Sequence, residues 1–252
     1  MSLSENQHFH SSRRPSFPTA VPHLQVVITD DGSRTLKDIR TGVVWHSESG
    51  ALTESQCVYL NNSGVYERLQ RGKATRVLEV GFGTGLSFWL AATAAQRGNA
   101  SLYYLSFENQ LLSEPVVSEL RHREFSECQL AYDQFSDCVF GASQRVSDSI
   151  LCRSNSVELK LVLSDVHSAL WSHEGGFDSV FYDPFGPHDA PHMWESVLLQ
   201  QLFDRLRPQG RLVTYCVKSS IQRLLNDVGF EVFKTRGPPG GKREVLVATR
   251  RA

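Results

Sequence analysis

The sequence predicts an α/β fold: a doubly wound, mostly parallel sheet of seven strands with helices on both faces, preceded by a small N-terminal β element. Three observations predict it. Short apolar runs alternate with helix-periodic runs from residue 73 onward. The stretch Arg76-Val77-Leu78-Glu79-Val80-Gly81-Phe82-Gly83-Thr84-Gly85-Leu86 reads as a buried strand, a glycine turn and the start of a helix. Gly81, Gly83 and Gly85 let the backbone turn sharply and approach a ligand, and the helix behind them offers free N–H groups and partial positive charge. Finally, acidic residues stand at the ends of later strands (Glu108, Asp165, Asp183), where such sheets bind ligands.

Taken in order, residues 1–20 are rich in Ser, His, Arg and Pro without apolar periodicity, and read as a disordered tail that includes His8 and His10. A lead-in over 21–72 follows. Leu24 to Thr29 is a strand, Asp30-Asp31-Gly32-Ser33 a hairpin turn, and Thr35 to Ile39 and Val43 to His46 further short strands. Ser55 through Leu69 has helical spacing, split at Asn61-Asn62-Ser63-Gly64. The main domain spans 73–252. Its strands are expected at 76–80, 102–107, 157–163, 177–182, 211–216, 230–235 and 244–248, and its helices at 85–97, 113–123, 194–206 and 218–228. Gly210 and Gly229 fall where helix-to-strand turns belong. The last two strands have no helix between them and read as a terminal hairpin. The polar span 124–156 shows no clear element, and there are no internal repeats.

The bulk properties narrow the function. At 252 residues and 40% hydrophobic, the chain suits a globular protein with a substantial core. Its net charge of −1 advertises no global nucleic-acid affinity, so such a partner needs a local basic patch. The five cysteines are scattered without a C-x-x-C, which indicates reduced thiols rather than a zinc site or disulfide framework. There is no signal-peptide apolar region and no run approaching the roughly 20 apolar residues that span a bilayer. The expectation is a cytoplasmic protein with no membrane partner.

The glycine spacing is G-x-G-x-G, not the dinucleotide G-x-G-x-x-G, and an acid, Glu79, stands two residues before it. E-x-G-x-G-T-G resembles motif I of the class I S-adenosylmethionine (AdoMet) methyltransferases, and the terminal hairpin matches their pattern. That resemblance places Glu79 near the methionine end of a cofactor that is cationic and carries no phosphate. Glu108 lies about 20 residues past the glycines, where a carboxylate accepts hydrogen bonds from both ribose hydroxyls. Asp165 takes the adenine amine in such enzymes. It also suits the N-cap of the turn after it, and both roles can hold. Asp183, in Val180-Phe181-Tyr182-Asp183-Pro184-Phe185, faces the transferred methyl. A primary amine, with a pKa of about 10.4, must lose a proton before attacking. Asp183 can orient the neutral amine while Phe185 walls off water.

Longer runs sharpen the resemblance. Asp183-Pro184-Phe185-Gly186-Pro187 followed by Pro191-His192-Met193-Trp194 is similar to the D-G-F-x-P…N-P-x-M-W run of the MnmC methyltransferase domain. Glu79 to Phe88, Ser106-Phe107-Glu108, Arg207-Pro208-Gln209-Gly210, Gly229-Phe230-Glu231-Val232, Gly240 to Glu244 and Ser49 to Ser55 resemble other segments of that family. The resemblance covers nearly everything from residue 20. It implies methylation of the aminomethyl group on a wobble uridine of tRNA, giving 5-methylaminomethyl(-2-thio)uridine. Glu79, Gly81, Gly83, Gly85, Glu108 and Asp165 would then bind AdoMet, and Asp183 and Phe185 would hold the base. Two departures stand out. Pro184 replaces a glycine and stiffens the backbone, and Gln56-Cys57 stands where a histidine commonly follows the Glu-Ser pair. The family often carries a fused FAD-dependent oxidase, which this sequence lacks, so the expected substrate comes from a separate enzyme.

Lys242, Arg243 and Arg236 cluster on the Pro-Gly loop, with Lys234, Arg250 and Arg251 nearby, and a basic loop beside the site suits tRNA phosphates. His188 and His192 flank Asp189 without an evident third ligand, so a substrate-contacting loop is expected there rather than a metal. Two rival functions share parts of this pattern. One is a small-molecule amine methyltransferase or polyamine-type aminopropyltransferase on the same fold, and the other a non-catalytic RNA- or AdoMet-binding module.

Overall fold

The computed structural model describes residues 14–124, 129–140 and 148–251. Strands β1 (Ser16–Pro18), β2 (Leu24–Ile28) and β3 (Arg34–Asp38) form a small antiparallel sheet in that order. Gly32, with φ +81°, turns the β2–β3 hairpin where the Asp-Gly signal predicts it. The expected strand at 43–46 is reduced to one bridge between Val44 and Lys37. Residues 14–20 correct the disordered-tail expectation: Ser16, Phe17 and Pro18 pair with Val27, Val26 and Gln25, and Arg14 bonds Asp30 at 3.0 Å. Composition misses this because the stabilising partner is a strand further along the chain. Residues 1–13, with His8 and His10, lie outside the described residues.

Helix α1 (Ala51–Glu54) runs directly into a π-helix over Ser55–Asn61, and Gly64, at φ +80°, opens α2 (Val65–Gln70). Val58, Tyr59, Leu60, Val65 and Leu69 are buried in the same core as the main sheet.

That sheet has eight strands: β4 (Thr75–Val80), β5 (Leu102–Phe107), β6 (Ser149–Ser154), β7 (Val157–Val162), β8 (Phe177–Tyr182), β9 (Leu206–Thr214), β10 (Phe230–Arg236) and β11 (Glu244–Arg250). Their order is β10-β11-β9-β8-β4-β5-β7-β6. The pairs β9–β8, β8–β4, β4–β5 and β5–β7 are parallel, whereas β6 pairs antiparallel with β7 and β11 antiparallel with both β9 and β10. Helices α3 (Leu86–Arg97), α4 (Glu114–Ser118) and α5 (Gln129–Phe140) follow β4 and β5. Helices α6 (Val166–Ala169), α7 (Ser196–Arg205) and α8 (Ser219–Val228) follow β7, β8 and β9.

Central strands β4, β5 and β8 are buried over almost their whole length, because helices cover both faces of a parallel sheet. One face packs on α3, α5 and the π-helix, the other on α6, α7 and α8. Ten of the twelve residues of α3 are buried, and its alanines let this all-round apolar helix lie close to the sheet.

The eighth strand, β6, and helix α5 arise from the span that shows no clear element in the sequence, with 125–128 and 141–147 outside the described residues. There the structure corrects the expectation of reduced thiols. Cys138 on α5 and Cys152 on β6 form a disulfide, their Cα atoms 6.0 Å apart, because helix and edge strand pack side by side. Cys57 and Cys216 remain free. Gly229 caps α8 in a left-handed turn as expected, whereas Gly210 lies inside β9, beside an irregularity in its pairing with β8.

The first strand of the sheet, β4, has β5 on one side and β8 on the other, so chain direction across the sheet reverses there. Loops leaving β4 and β8 therefore diverge and open a crevice at their carboxyl ends.

Candidate active site

That crevice holds a cleft of about 760 Å³. Its floor is the glycine turn. Gly81, Gly83 and Gly85 have φ of +93°, +54° and +77°, which side-chain-bearing residues rarely adopt. A Cβ on Gly81 would stand 2.9 Å from the Asp183 carbonyl oxygen, so the turn after β4 and the end of β8 touch only because that atom is missing. Gly81 and Gly83 line the cleft, while Gly85 sits behind them as the N-cap of α3.

Three acids surround the turn. Glu79 is 2% exposed, and its Oε2 accepts the Ser106 hydroxyl at 2.8 Å. Burial pushes its pKa well above the usual carboxylate range, the Ser106 bond opposes this, and the charges of Asp183 and Glu108 add to the rise. Glu108 accepts Gly83 N–H at 3.0 Å and Gln110 N–H at 2.9 Å. Burial raises its pKa against those bonds. Asp165 is the N-cap of α6, accepting His167 N–H at 2.7 Å and facing the His167 ring at 2.9 Å. Burial opposes ionisation there, but the His167 contacts win and hold its pKa down.

At the other end, Asp183 follows β8 and donates its N–H to Val80 O at 3.1 Å. Its Oδ1 accepts a short hydrogen bond from the Tyr59 hydroxyl. Burial drives the Asp183 pKa far up, the Tyr59 bond pulls it down, the Glu54 charge pushes it up and Lys242 lowers it. The residues after Asp183 are pinned from two sides: Tyr215 O–H donates to Pro184 O at 3.0 Å and Trp194 Nε1–H to Phe185 O at 2.9 Å. Phe185 is thereby presented half-exposed at the cleft mouth, edge-on to Trp45 with ring centroids 6.0 Å apart. His46 accompanies Trp45 in the wall and is neutral, its pKa pushed down to about 4 by burial.

Of the basic residues, Lys242 lines the cleft, with Nζ 4.1 Å from the centre of the Tyr215 ring. Arg236 and Arg243 are exposed on the same β10–β11 hairpin but outside the cleft lining. His188, Asp189 and His192 line the cleft, and among the described residues no group of three or more His, Cys, Asp or Glu is placed to hold a metal. Sequence reasoning misses Glu54, Tyr59, Trp45 and Tyr215. Glu54 lies in a segment that carries the family resemblance, but nothing in its neighbours signals that it faces Asp183 from another part of the chain.

The residues present fit AdoMet. Glu79 is a buried acid that forms no ion pair among the described residues, so its ionised form is disfavoured until a cation joins it. Glu108 lines the cleft beside the glycine turn, its carboxylate held by the backbone N–H groups of Gly83 and Gln110.

Comparison with known proteins agrees. Residues 127–251 match a family model described as S-adenosyl-L-methionine-dependent methyltransferase. Fold, cleft and match together are those of an AdoMet-dependent methyltransferase. Beyond the family model, the chain is similar to proteins named MnmC. It is 28% identical over 213 residues to the tRNA 5-methylaminomethyl-2-thiouridine biosynthesis bifunctional protein MnmC of Cupriavidus necator, covering 82% of this chain and 31% of that protein. The protein of the same name from Acidovorax sp. is 30% identical over 215 residues, with 81% and 32% covered. The chain thus spans about a third of the length of these curated relatives. The crystal structure of MnmC2 from Aquifex aeolicus superimposes with a TM-score of 0.75 at 25% identity, covering 91% of this chain and 70% of that one. Among the described residues no helix is long and apolar enough to cross a membrane.

Proposed function

We propose that this chain methylates the aminomethyl nitrogen of a modified wobble uridine in tRNA, giving 5-methylaminomethyl(-2-thio)uridine. One observation carries the reading: a buried carboxylate, Asp183, held by Tyr59 next to a half-exposed ring, Phe185, at the mouth of an AdoMet-type cleft. The names of the relatives, which concern tRNA 5-methylaminomethyl-2-thiouridine biosynthesis, support it.

In this reading Glu79, the Gly81-Phe82-Gly83-Thr84-Gly85 turn, Glu108 and Asp165 hold AdoMet, which supplies an electrophilic methyl on a sulfonium. The 73–252 domain carries this half of the site, and the 21–72 lead-in closes it with Trp45, Glu54 and Tyr59. Asp183 orients the amine so that its lone pair meets the methyl in line, and Phe185 covers the base and excludes water. Lys242, Arg236 and Arg243 take tRNA phosphates. The aminomethyl substrate comes from a separate enzyme acting earlier, in the cytoplasm where tRNA is matured.

Incubation with labelled AdoMet and tRNA bearing aminomethyluridine tests this. Label is expected on that nucleoside alone. No label beside a competent control overturns the reading, and equal activity on free amines without tRNA replaces it with a small-molecule one.

A further inference from the structure

Glu54 has no part in the mechanism above, yet it is 9% exposed and lines the same cleft as Asp183. It ends α1, where the chain turns into the π-helix, and that turn carries Tyr59 to Asp183. The backbone N–H of Ser47 holds Glu54 Oε2 at 2.6 Å, and Oδ1 of Asp183 is committed to Tyr59. Each carboxylate thus has one oxygen fixed by the protein. Among the described residues neither forms an ion pair, because Lys242, the nearby cation, lies over the Tyr215 ring. Burial disfavours ionisation of both, the Glu54 charge adds to this at Asp183 and Lys242 offsets it only in part, so a cation entering between the two carboxyl groups favours their ionised forms.

We propose that Glu54 is the proton acceptor of the methyl transfer and that Glu54 and Asp183 together form a receptor for a primary amine, so that the site stops after one methyl. This rests on the amine N-methylation reading above. The substrate enters as R–CH2–NH3+, with one N–H on Asp183 and one on Glu54. The proton on the Glu54 side passes to that carboxylate, leaving R–CH2–NH2. A one-third turn about the C–N bond then points the lone pair at the methyl, with the two remaining N–H bonds facing the two carboxyl groups. The lone pair forms the N–CH3 bond as the methyl–sulfur bond breaks, that bond's electron pair staying on sulfur. The product is R–CH2–NH2+–CH3, and Glu54 returns its proton to solvent through the open mouth. A second transfer requires the new methyl to take the place of an N–H against a buried carboxylate, which removes a charge-assisted hydrogen bond.

Burial raises the pKa of both carboxyl groups; Asp183 Oδ1 is engaged by the Tyr59 hydroxyl, whereas Glu54 Oε2 is held only by a backbone N–H, and this difference in partners assigns the proton to Glu54.

Glu54→Gln keeps the shape and one acceptor but takes no proton. With wild type first shown to methylate aminomethyluridine tRNA, the variant is expected to lose roughly 10²-fold or more in kcat, with AdoMet Kd within about threefold. Its rate recovers as pH rises, because solvent then deprotonates the amine. Without AdoMet, the preference of the protein for aminomethyl over unmodified tRNA is expected to fall roughly tenfold, a binding readout that needs no turnover. Glu54→Ala is expected to release some dimethylated nucleoside, read by mass spectrometry. A Glu54→Gln enzyme with wild-type kcat, pH profile and tRNA preference overturns the proposal. So does a variant that loses thermal stability and AdoMet binding together, which marks Glu54 as structural. If wild type itself shows no methylation, the failure belongs to the tRNA reading.

Discussion

At the scale of single residues, burial makes Glu79, Glu108 and Asp183 difficult to ionise, whereas His167 favours the ionised form of Asp165. Asp183 and Glu79 are both buried enough to raise their pKa well above the carboxylate range. A group whose folded pKa is raised stabilises the fold below its unfolded pKa, and that contribution is lost as pH rises through the folded value. Asp183→Asn removes this loss, so the ligand-free variant is expected to gain thermal stability relative to wild type between about pH 4 and 8, followed by calorimetry. Its methyl transfer is expected to fall roughly 10²-fold or more, measured as kcat with AdoMet affinity unchanged. Glu79→Gln separates the other half. Removing one charge-assisted hydrogen bond to a cation, worth about 1.5–3 kcal/mol, is expected to weaken AdoMet binding roughly tenfold to a hundredfold by isothermal titration. In the proposed site AdoMet would favour the ionised form of Glu79, so wild-type affinity is also expected to rise with pH, and the variant's to stay flat. The three glycines and the acids Glu79, Glu108, Asp165 and Asp183 are legible in the sequence because strand ends and turns are local features. Tyr59 and Glu54 are not, because their importance comes from a neighbour more than a hundred residues away.

At the scale of elements, the π-helix at Ser55–Asn61 matters most for the substrate side. Its wider turns shift the residues after Glu54 relative to an α-helix, and so set where Tyr59 meets Asp183. Hydrophobic spacing marks this stretch as helical, but an i→i+5 pattern leaves no separate trace in it. Tyr59→Phe removes the hydroxyl that lowers the Asp183 pKa. The Asp183 pKa then rises further, and the acid limb of the kcat profile is expected to move to higher pH while AdoMet binding is kept. An unmoved limb would show that Tyr59 only packs. The loop after β8 shows the same dependence on distant partners. Trp194 and Tyr215 hold its carbonyls, which gives the Met193-Trp194 run a physical task beyond filling the core. Cys138 and Cys152 show the limit of spacing as a signal. They sit 14 residues apart without a motif, and only the packing of α5 beside β6 brings them together.

At the scale of the molecule, the segment 43–47 after the N-terminal sheet, Glu54 at the end of α1 and Lys242 of the β10–β11 hairpin line one cleft. Ser49 Oγ donates to Gly240 O at 2.6 Å, tying the lead-in to the basic hairpin. The formal charge of −1 therefore conceals a cationic edge formed by Lys242, Arg243 and Arg236. Replacing Arg236 and Arg243 with Gln is expected to weaken tRNA binding and to lower the magnitude of the slope of log K against log salt by about 0.7–0.9 for each phosphate no longer neutralised. Filter binding at several salt concentrations reads it, and an unchanged slope removes these residues from the interface.

The sequence by itself determined the alternation of strand and helix, the glycine turn and the acids at the strand ends, because each is encoded within a few neighbouring residues. Only the tertiary structure decided the eighth strand, the pairing of residues 16–18, the disulfide, and the meeting of Glu54, Tyr59 and Lys242 around Asp183. Those depend on which distant segments pack together, and the burial that packing creates sets the charge state of the groups that would do the chemistry.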